Sequence, residues 1–254
     1  MNLRMRQICL VAGQLEPVVD NLAHVFGLPV CHRDPGVGKY GLENALFPVG
    51  NSFLEVVAPV RDGTTAGRYL ERRRGDGGYM VITQCGDLAK RRVRCEAVGV
   101  CVANEIRYPD YQELQLHPRD VGAAMLSFSR QEGGESPDGP WHPAASKGTP
   151  ARGPAVIRAM SGAELQSDDP DGLARRWSLV MELPLTRDDR SRPIVALDDA
   201  RLRFVPATDG RGEGLAGLDL DCPDTARVLA RARARGLEAE GNVIVACGMR
   251  FYLV

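Results

Sequence analysis

The sequence predicts an α+β protein made of four copies of one unit: a strand, a helix and three further strands. Three observations carry this. A helix-opening phrase recurs four times, each time after a β-rich run. Short strand-like runs separated by turn residues follow each helix. Helices gathered on one side of mostly antiparallel strands are the ordinary way for such units to bury their apolar faces.

The first strand is expected over residues 7–12. Gln14-Leu15-Glu16-Pro17 then opens a helix with Val18, Leu22, Val25 and Phe26 at helical spacing. Pro17 suits its first turn and Gly27 its C-terminal cap. Strands are expected over 29–33, 41–49 and 52–58, with Gly50-Asn51 as a hairpin turn. The second unit begins with a strand over 79–84, and Gly86-Asp87 opens its helix through Leu88 and Val93 to Gly99. Its strands fall over 101–108, 111–116 and 123–128. In the third unit a strand over 156–166 precedes Asp168-Asp169-Pro170-Asp171 and a helix carrying Leu173, Trp177 and Val180. Strands over 194–197 and 201–205 follow, with Asp198-Asp199 between them. The fourth has a strand over 215–220, then Cys222-Pro223-Asp224-Thr225 and a helix with Val228, Leu229 and Ala232. Strands over 243–247 and 249–254 close the chain.

Gly, Pro and Ser fill nearly half of positions 130–155, a composition that disfavours regular structure. The chain is therefore divided into residues 1–130, a linker over 131–154 and residues 155–254. Trp141 and His142 interrupt the linker, and Trp141 is expected to pin it onto the body or to line a pocket.

The net charge is −1 and the pI about 6.4, which gives no reason to expect nucleic acid or an anionic membrane as partner. Arg72-Arg73-Arg74 and Lys90-Arg91-Arg92 fall on expected helices and read as solvated faces. No run is long and apolar enough to span a membrane, and the apolar run at 8–12 is too short for a signal-peptide core. A cytoplasmic protein is the expectation. Seven cysteines, an odd number without regular spacing, make a poor disulfide framework. Cys9, Cys85, Cys101 and Cys247 sit among apolar residues and read as small buried hydrophobes in strands. Cys31 beside His32 is the one hint of a reactive thiol.

Several phrases resemble a known family. Phe53-Leu54-Glu55-Val56-Val57-Ala58-Pro59, then Gly67-Arg68-Tyr69-Leu70-Glu71-Arg72 and Gly77-Gly78, look like the end of an epimerase-type module, its linking helix and the next module's entry. Leu116-His117-Pro118-Arg119-Asp120 with Gly122 looks like that family's last hairpin. The chain thus resembles the vicinal oxygen chelate superfamily, which includes glyoxalase I, methylmalonyl-CoA epimerase and extradiol dioxygenases. The likeness is sharpest over residues 3–130; over 155–254 only the module rhythm matches. It implies modules paired into two cup-shaped sheets, the glyoxalase-like fold, with a divalent metal held by His, Gln or Glu on the first and fourth strands of each module. This sequence departs from that pattern. Gln7 and Glu55 fall at the first module's positions, but Met80 and Ser127 fall at the second's, and neither suits such an ion. The corresponding places in the second half fall near Gly162, Arg203, Leu215 and Tyr252. No metal and no other cofactor is expected.

Chemistry independent of a metal remains. Glu55 shares a strand face with Phe53 and Val57, so a carboxylate points inward among apolar neighbours, where burial makes it a candidate general acid or base. A buried structural Glu held by an Arg is the alternative. His117, as a histidine, is a second catalytic candidate, although it precedes a Pro at a turn. Gln7, Tyr79, Met80 and Ser127 are candidate ligand contacts, and Arg119 or Arg68 is a candidate replacement for the metal's charge. Two functions stay open. One is a metal-free binding or carrier protein for a small organic molecule; the other is an isomerase or lyase in which Glu55 moves a proton on a carbonyl or thioester. A homodimer is compatible with either.

Overall fold

The computed structural model describes residues 3–144 and 156–254. The first unit comprises β1 (Arg4–Val11), α1 (Leu15–Phe26), a 3-10 turn (Pro35–Tyr40), β2 (Leu42–Val49) and β3 (Ser52–Pro59). Helix α2 (Thr65–Arg73) leads to β4 (Gly77–Gln84), α3 (Leu88–Ala97), β5 (Val102–Arg107), β6 (Tyr111–Leu116), the single turn α4 (Pro118–Val121) and β7 (Met125–Gln131). The third unit holds β8 (Ala159–Ser167), α5 (Pro170–Met181), β9 (Leu185–Arg187), β10 (Pro193–Ala196) and β11 (Arg201–Pro206). The fourth holds β12 (Gly214–Asp221), α6 (Thr225–Ala234), β13 (Ala239–Glu240), β14 (Val243–Ala246) and β15 (Met249–Leu253).

Local chemistry explains the helix ends. Asp87, Asp169 and Asp224 each accept a hydrogen bond from a first-turn N–H, at 2.9, 2.8 and 3.1 Å, satisfying a donor that would otherwise be orphaned. Helix α1 ends on Gly27 in the left-handed region, with φ of 67°. One expected strand is missing. Over residues 29–33 only an isolated bridge forms, between His32 and Leu46, because Pro35 and the Asp34 side chain, which accepts from Gly36 N at 2.8 Å, turn the chain into the 3-10 segment. Two short strands, β9 and β13, carried no periodic signal and were not expected.

In the first half the strand order is β2-β3-β1-β4-β7-β6-β5, and in the second it is β9-β10-β11-β8-β12-β15-β14-β13. Within each unit the first strand lies parallel to the last full strand: β1 to β3, β4 to β7, β8 to β11 and β12 to β15. The other pairings are antiparallel. The strands of the two halves join through the pair Gly78–Leu215, between the interior strands β4 and β12.

Alternation sorts the side chains by face. Leu54, Val56 and Ala58 join Ile8 and Leu10 in the main core with the helices, whereas Phe53 and Val57 join Cys9, Val11, Tyr79 and Tyr111 in a second cluster on the concave face.

The arginine runs are not purely solvated faces. Arg73 is 4% exposed, and its Nη1 donates to the carbonyls of Arg211, Gly212 and Glu213 at 2.6, 3.0 and 2.8 Å. Arg91 is 7% exposed and donates to Met181 O at 2.7 Å. Each run thus places one guanidinium where it satisfies carbonyls of the other half, while its neighbours stay outward. Among the cysteines, Cys101 is exposed, and Cys247 lies half-buried in a turn with φ of 48°, so neither is a buried strand hydrophobe. Cys9 and Cys85 are buried.

Candidate functional site

The concave face of the first half encloses a cavity of about 500 Å³. Gln7, Glu55, Tyr79 and Met80 all line it, brought together from β1, β3 and β4 by the sheet order. At its centre stands Glu55, buried, with a neutral amide on each oxygen. Gln7 Nε2 donates to Oε2 at 2.8 Å and Asn44 Nδ2 donates to Oε1 at 2.6 Å. Both amides are themselves oriented. Asn44 Oδ1 accepts from Asp34 N at 2.8 Å, and Gln7 Oε1 accepts from the indole of Trp141 at 2.8 Å. Burial pushes the Glu55 carboxyl above its ordinary range; donors from Asn44, Cys9 and Gln7 pull it partly back, and the nearby Glu113 pushes it up.

Glu113 is a second buried carboxylate in the same cavity, on β6. The Tyr111 hydroxyl donates to its Oε2 at 2.8 Å and Gln115 Nε2 to its Oε1 at 3.3 Å. Burial raises this carboxyl also. Ser127, fully buried on β7, lies beside it without making a well-formed hydrogen bond. Met125, two residues earlier on the same face of β7, reaches the cavity wall.

Trp141 is fully buried behind the β1 end of the cavity, edge-on to Tyr111 with ring centroids 5.4 Å apart. Arg6 lies over its ring at 5.4 Å and donates to the carbonyls of Pro137 and Gly139, both at 2.7 Å. The next residue, His142, stacks on Tyr108 at 4.2 Å and lines the cavity; burial lowers its pKa. The described part of the linker is therefore one wall of the site, while residues 145–154 lie outside the described residues.

Two expected residues are elsewhere. His117 caps α4, its Nδ1 accepting from Arg119 N at 3.2 Å, and Arg119 points into solvent beside Asp120. Neither lines the cavity, because the turn after β6 carries them beyond the strand ends. Arg68 is also exposed, donating to Gly63 O at 2.8 Å. Cys31 is no activated thiol, since burial pushes it up to about 11.

Trp141 holds its segment against the body, as expected, but Asn44, Tyr111, Glu113 and the bond from Trp141 to Gln7 were not anticipated from the sequence. The signal for two of them was present. Tyr111, Glu113 and Gln115 alternate with Leu114 and Leu116 along β6 just as Glu55 alternates along β3.

The residues present do not fit the divalent metal implied by the family resemblance. Gln7 turns its oxygen toward the indole N–H of Trp141 and its nitrogen toward Glu55, so its metal-binding atom faces away from the carboxylate it would share an ion with. Met80 and Ser127 complete the set with a thioether and a hydroxyl. In the second half, paired charges occupy the concave face. Arg203 makes a two-pronged pair with Asp219 at 2.8 and 3.0 Å and reaches Glu164 at 3.1 Å. Arg250 and Tyr252 close on Glu164 at 2.9 and 2.8 Å. A second hollow, of about 460 Å³, lies between the halves beside the Arg4–Asp199 pair.

No family model matches the sequence, and no curated protein matches it. Solved structures do. A hypothetical protein from Staphylococcus aureus aligns over 100% of this chain and 99% of its own, with TM-score 0.69 and 12% identity. A mutant of 4-hydroxymandelate synthase from Streptomyces coelicolor aligns over 92% of this chain and 75% of its own, with TM-score 0.66 and 15% identity. Methylmalonyl-CoA epimerase from Streptomyces coelicolor aligns with one half, over 50% of this chain and 96% of its own, with TM-score 0.45 and 19% identity.

Proposed function

We propose that this chain, whose α+β fold is that of the vicinal oxygen chelate superfamily, binds a small organic molecule in its N-terminal cup without a divalent metal. Residues 1–130 and 155–254 are read as two glyoxalase-like domains, the first holding the site. The observation that carries the proposal is the cavity of about 500 Å³ into which Glu55 points with both amide neighbours fixed. A pocket of that size with a few convergent polar groups is the usual form of a ligand site. Its test is a thermal-shift screen of metabolites, with and without EDTA, on the natural protein and on Val57→Trp, which fills the cup from β3. Hits that vanish in the filled variant and ignore EDTA support the reading. Hits indifferent to the filling overturn it.

A second reading rests on the same carboxyl. A buried Glu with a raised pKa on a cavity wall is suited to move a proton on a carbonyl or thioester ligand. Ligand C–H exchange in D2O, followed by NMR, tests it. Loss of exchange in Glu55→Gln with binding retained supports an isomerase or lyase; no exchange in the natural protein rules it out.

A further inference from the structure

We propose that the molecule held in the N-terminal cup carries an organic cation, a protonated amine or quaternary ammonium, seated between Glu55 and Glu113. This rests on the binding reading above and names its ligand class.

The first argument is an imbalance of charge inside an enclosed space. Glu55 and Glu113 are 8% and 4% exposed and line one cavity. Their donors are all neutral: the amides of Gln7, Asn44 and Gln115, the hydroxyl of Tyr111 and the thiol of Cys9. Among the described residues no Lys or Arg pairs with either. Buried carboxylates normally carry such a partner, because desolvating an unpaired anion is costly. The second half shows the opposite arrangement of charge. There Glu164 and Asp219 are neutralised by Arg203 and Arg250, and the charges compensate one another. The N-terminal cup has the carboxylates, and among the described residues no guanidinium pairs with them. Each carboxylate also has acceptor capacity to spare, since two oxygens offer about four lone-pair directions and each oxygen here has one geometric donor.

The second argument is the character of the walls. Tyr79, Tyr108 and Tyr111 bring aromatic rings to the cavity, and Met80 and Met125 bring polarisable thioethers. Ring faces attract a cation through their quadrupole, the more so when it is desolvated. Tyr79 is held by an edge contact to Tyr69 at 5.0 Å. Tyr111 is held by its hydrogen bond to Glu113, so that ring and carboxylate form one unit.

The cationic side chains that do line the cavity stand at its edge. Lys39 and Arg61 are exposed, and Lys39 lies over the Tyr40 ring at 4.9 Å. Asp34, half-buried on the same rim, caps the 3-10 turn. His142 is the remaining titratable neighbour, and burial favours its neutral form. The deep part of the cup is thus acidic and aromatic, and the ligand is the missing counter-charge.

The test uses three probes of one shape, 3-phenylpropylamine, 3-phenylpropanol and 3-phenylpropionate, titrated calorimetrically into the intact protein at pH 7.5. The amine should bind at least tenfold tighter than the alcohol, and the carboxylate should bind worst. In the double variant Glu55→Gln, Glu113→Gln the amine-to-alcohol ratio should fall to near one, with folding checked by circular dichroism. Should that variant not fold, the three-probe ranking on the natural protein decides alone. Alcohol or carboxylate binding as tightly as the amine overturns the cation while leaving the ligand cup standing. Failure of all three to bind at millimolar concentration overturns both.

Discussion

Trp141 donates its indole N–H to Gln7 Oε1 at 2.8 Å across 134 positions of sequence, and so decides which way the Gln7 amide faces. With its oxygen taken, Gln7 must present its NH2 to Glu55. A residue of the segment that follows β7 thereby sets the hydrogen-bonding polarity of the cup.

Trp141→Phe should keep most of the packing and remove the donor. The buried Gln7 oxygen is then unpaired, and stability should fall by about 1–3 kcal/mol in urea denaturation. Ligand affinity in the cup should drop with it, because the Gln7 amide is released to turn. Unchanged stability and affinity would show that the contact does not orient Gln7.

The carboxyls of Glu55 and Glu113 are both raised above the ordinary range of a glutamate, chiefly by burial. A raised folded-state value means that their neutral forms favour folding. That contribution is whole below about 4.5 and is lost as pH climbs through the raised values. Relative to the natural protein, Glu55→Gln, Glu113→Gln should therefore gain stability by about 1 kcal/mol or more between pH 5 and pH 8. Any donor-to-donor contact made by the new amides is independent of pH, so the slope carries the test. A slope of opposite sign would mean that the carboxylates are held ionised by the fold.

Gly78 pairs with Leu215 where the two halves join. A Cβ there would come within 2.4 Å of Leu215 Cγ and 2.6 Å of its carbonyl oxygen. Gly78→Ala should force the strands apart and cost about 1–3 kcal/mol, read as a lowered melting temperature. Gly63, whose added Cβ meets nothing within 4 Å, is not a control because its φ is 72°. Gly38→Ala, with open space and no left-handed φ, is the control and should melt as the natural protein does.

Arg203→Leu should leave Asp219 and part of Glu164 without their partner in the second cup. Breaking a buried pair from one side costs about 3–5 kcal/mol, so the loss should be large. Affinity for a ligand of the first cup should stay within twofold at a temperature where the variant is folded. A collapse of that affinity would mean that the second half contributes to the site.

The sequence by itself determined what is local. Helix starts at Asp87, Asp169 and Asp224, the turn at Gly50-Asn51 and the inward face of Glu55 follow from capping, turn chemistry and a period of two, each set within a few residues. Glu113 was equally legible by that rule, since it alternates with Leu114 on β6. Only the tertiary structure decided what depends on partners distant in sequence. Arg73 and Arg91 look like members of solvent-facing runs until the other half supplies carbonyls at 2.6 to 3.0 Å. His117 and Arg119 have the right chemistry, but the turn after β6 carries them out of the cup. Trp141 reaches Gln7 only because β1 lies where the returning linker crosses it. Hydrogen bonds and ion pairs act within a few ångströms of space, and chain separation does not reveal which groups will be that close.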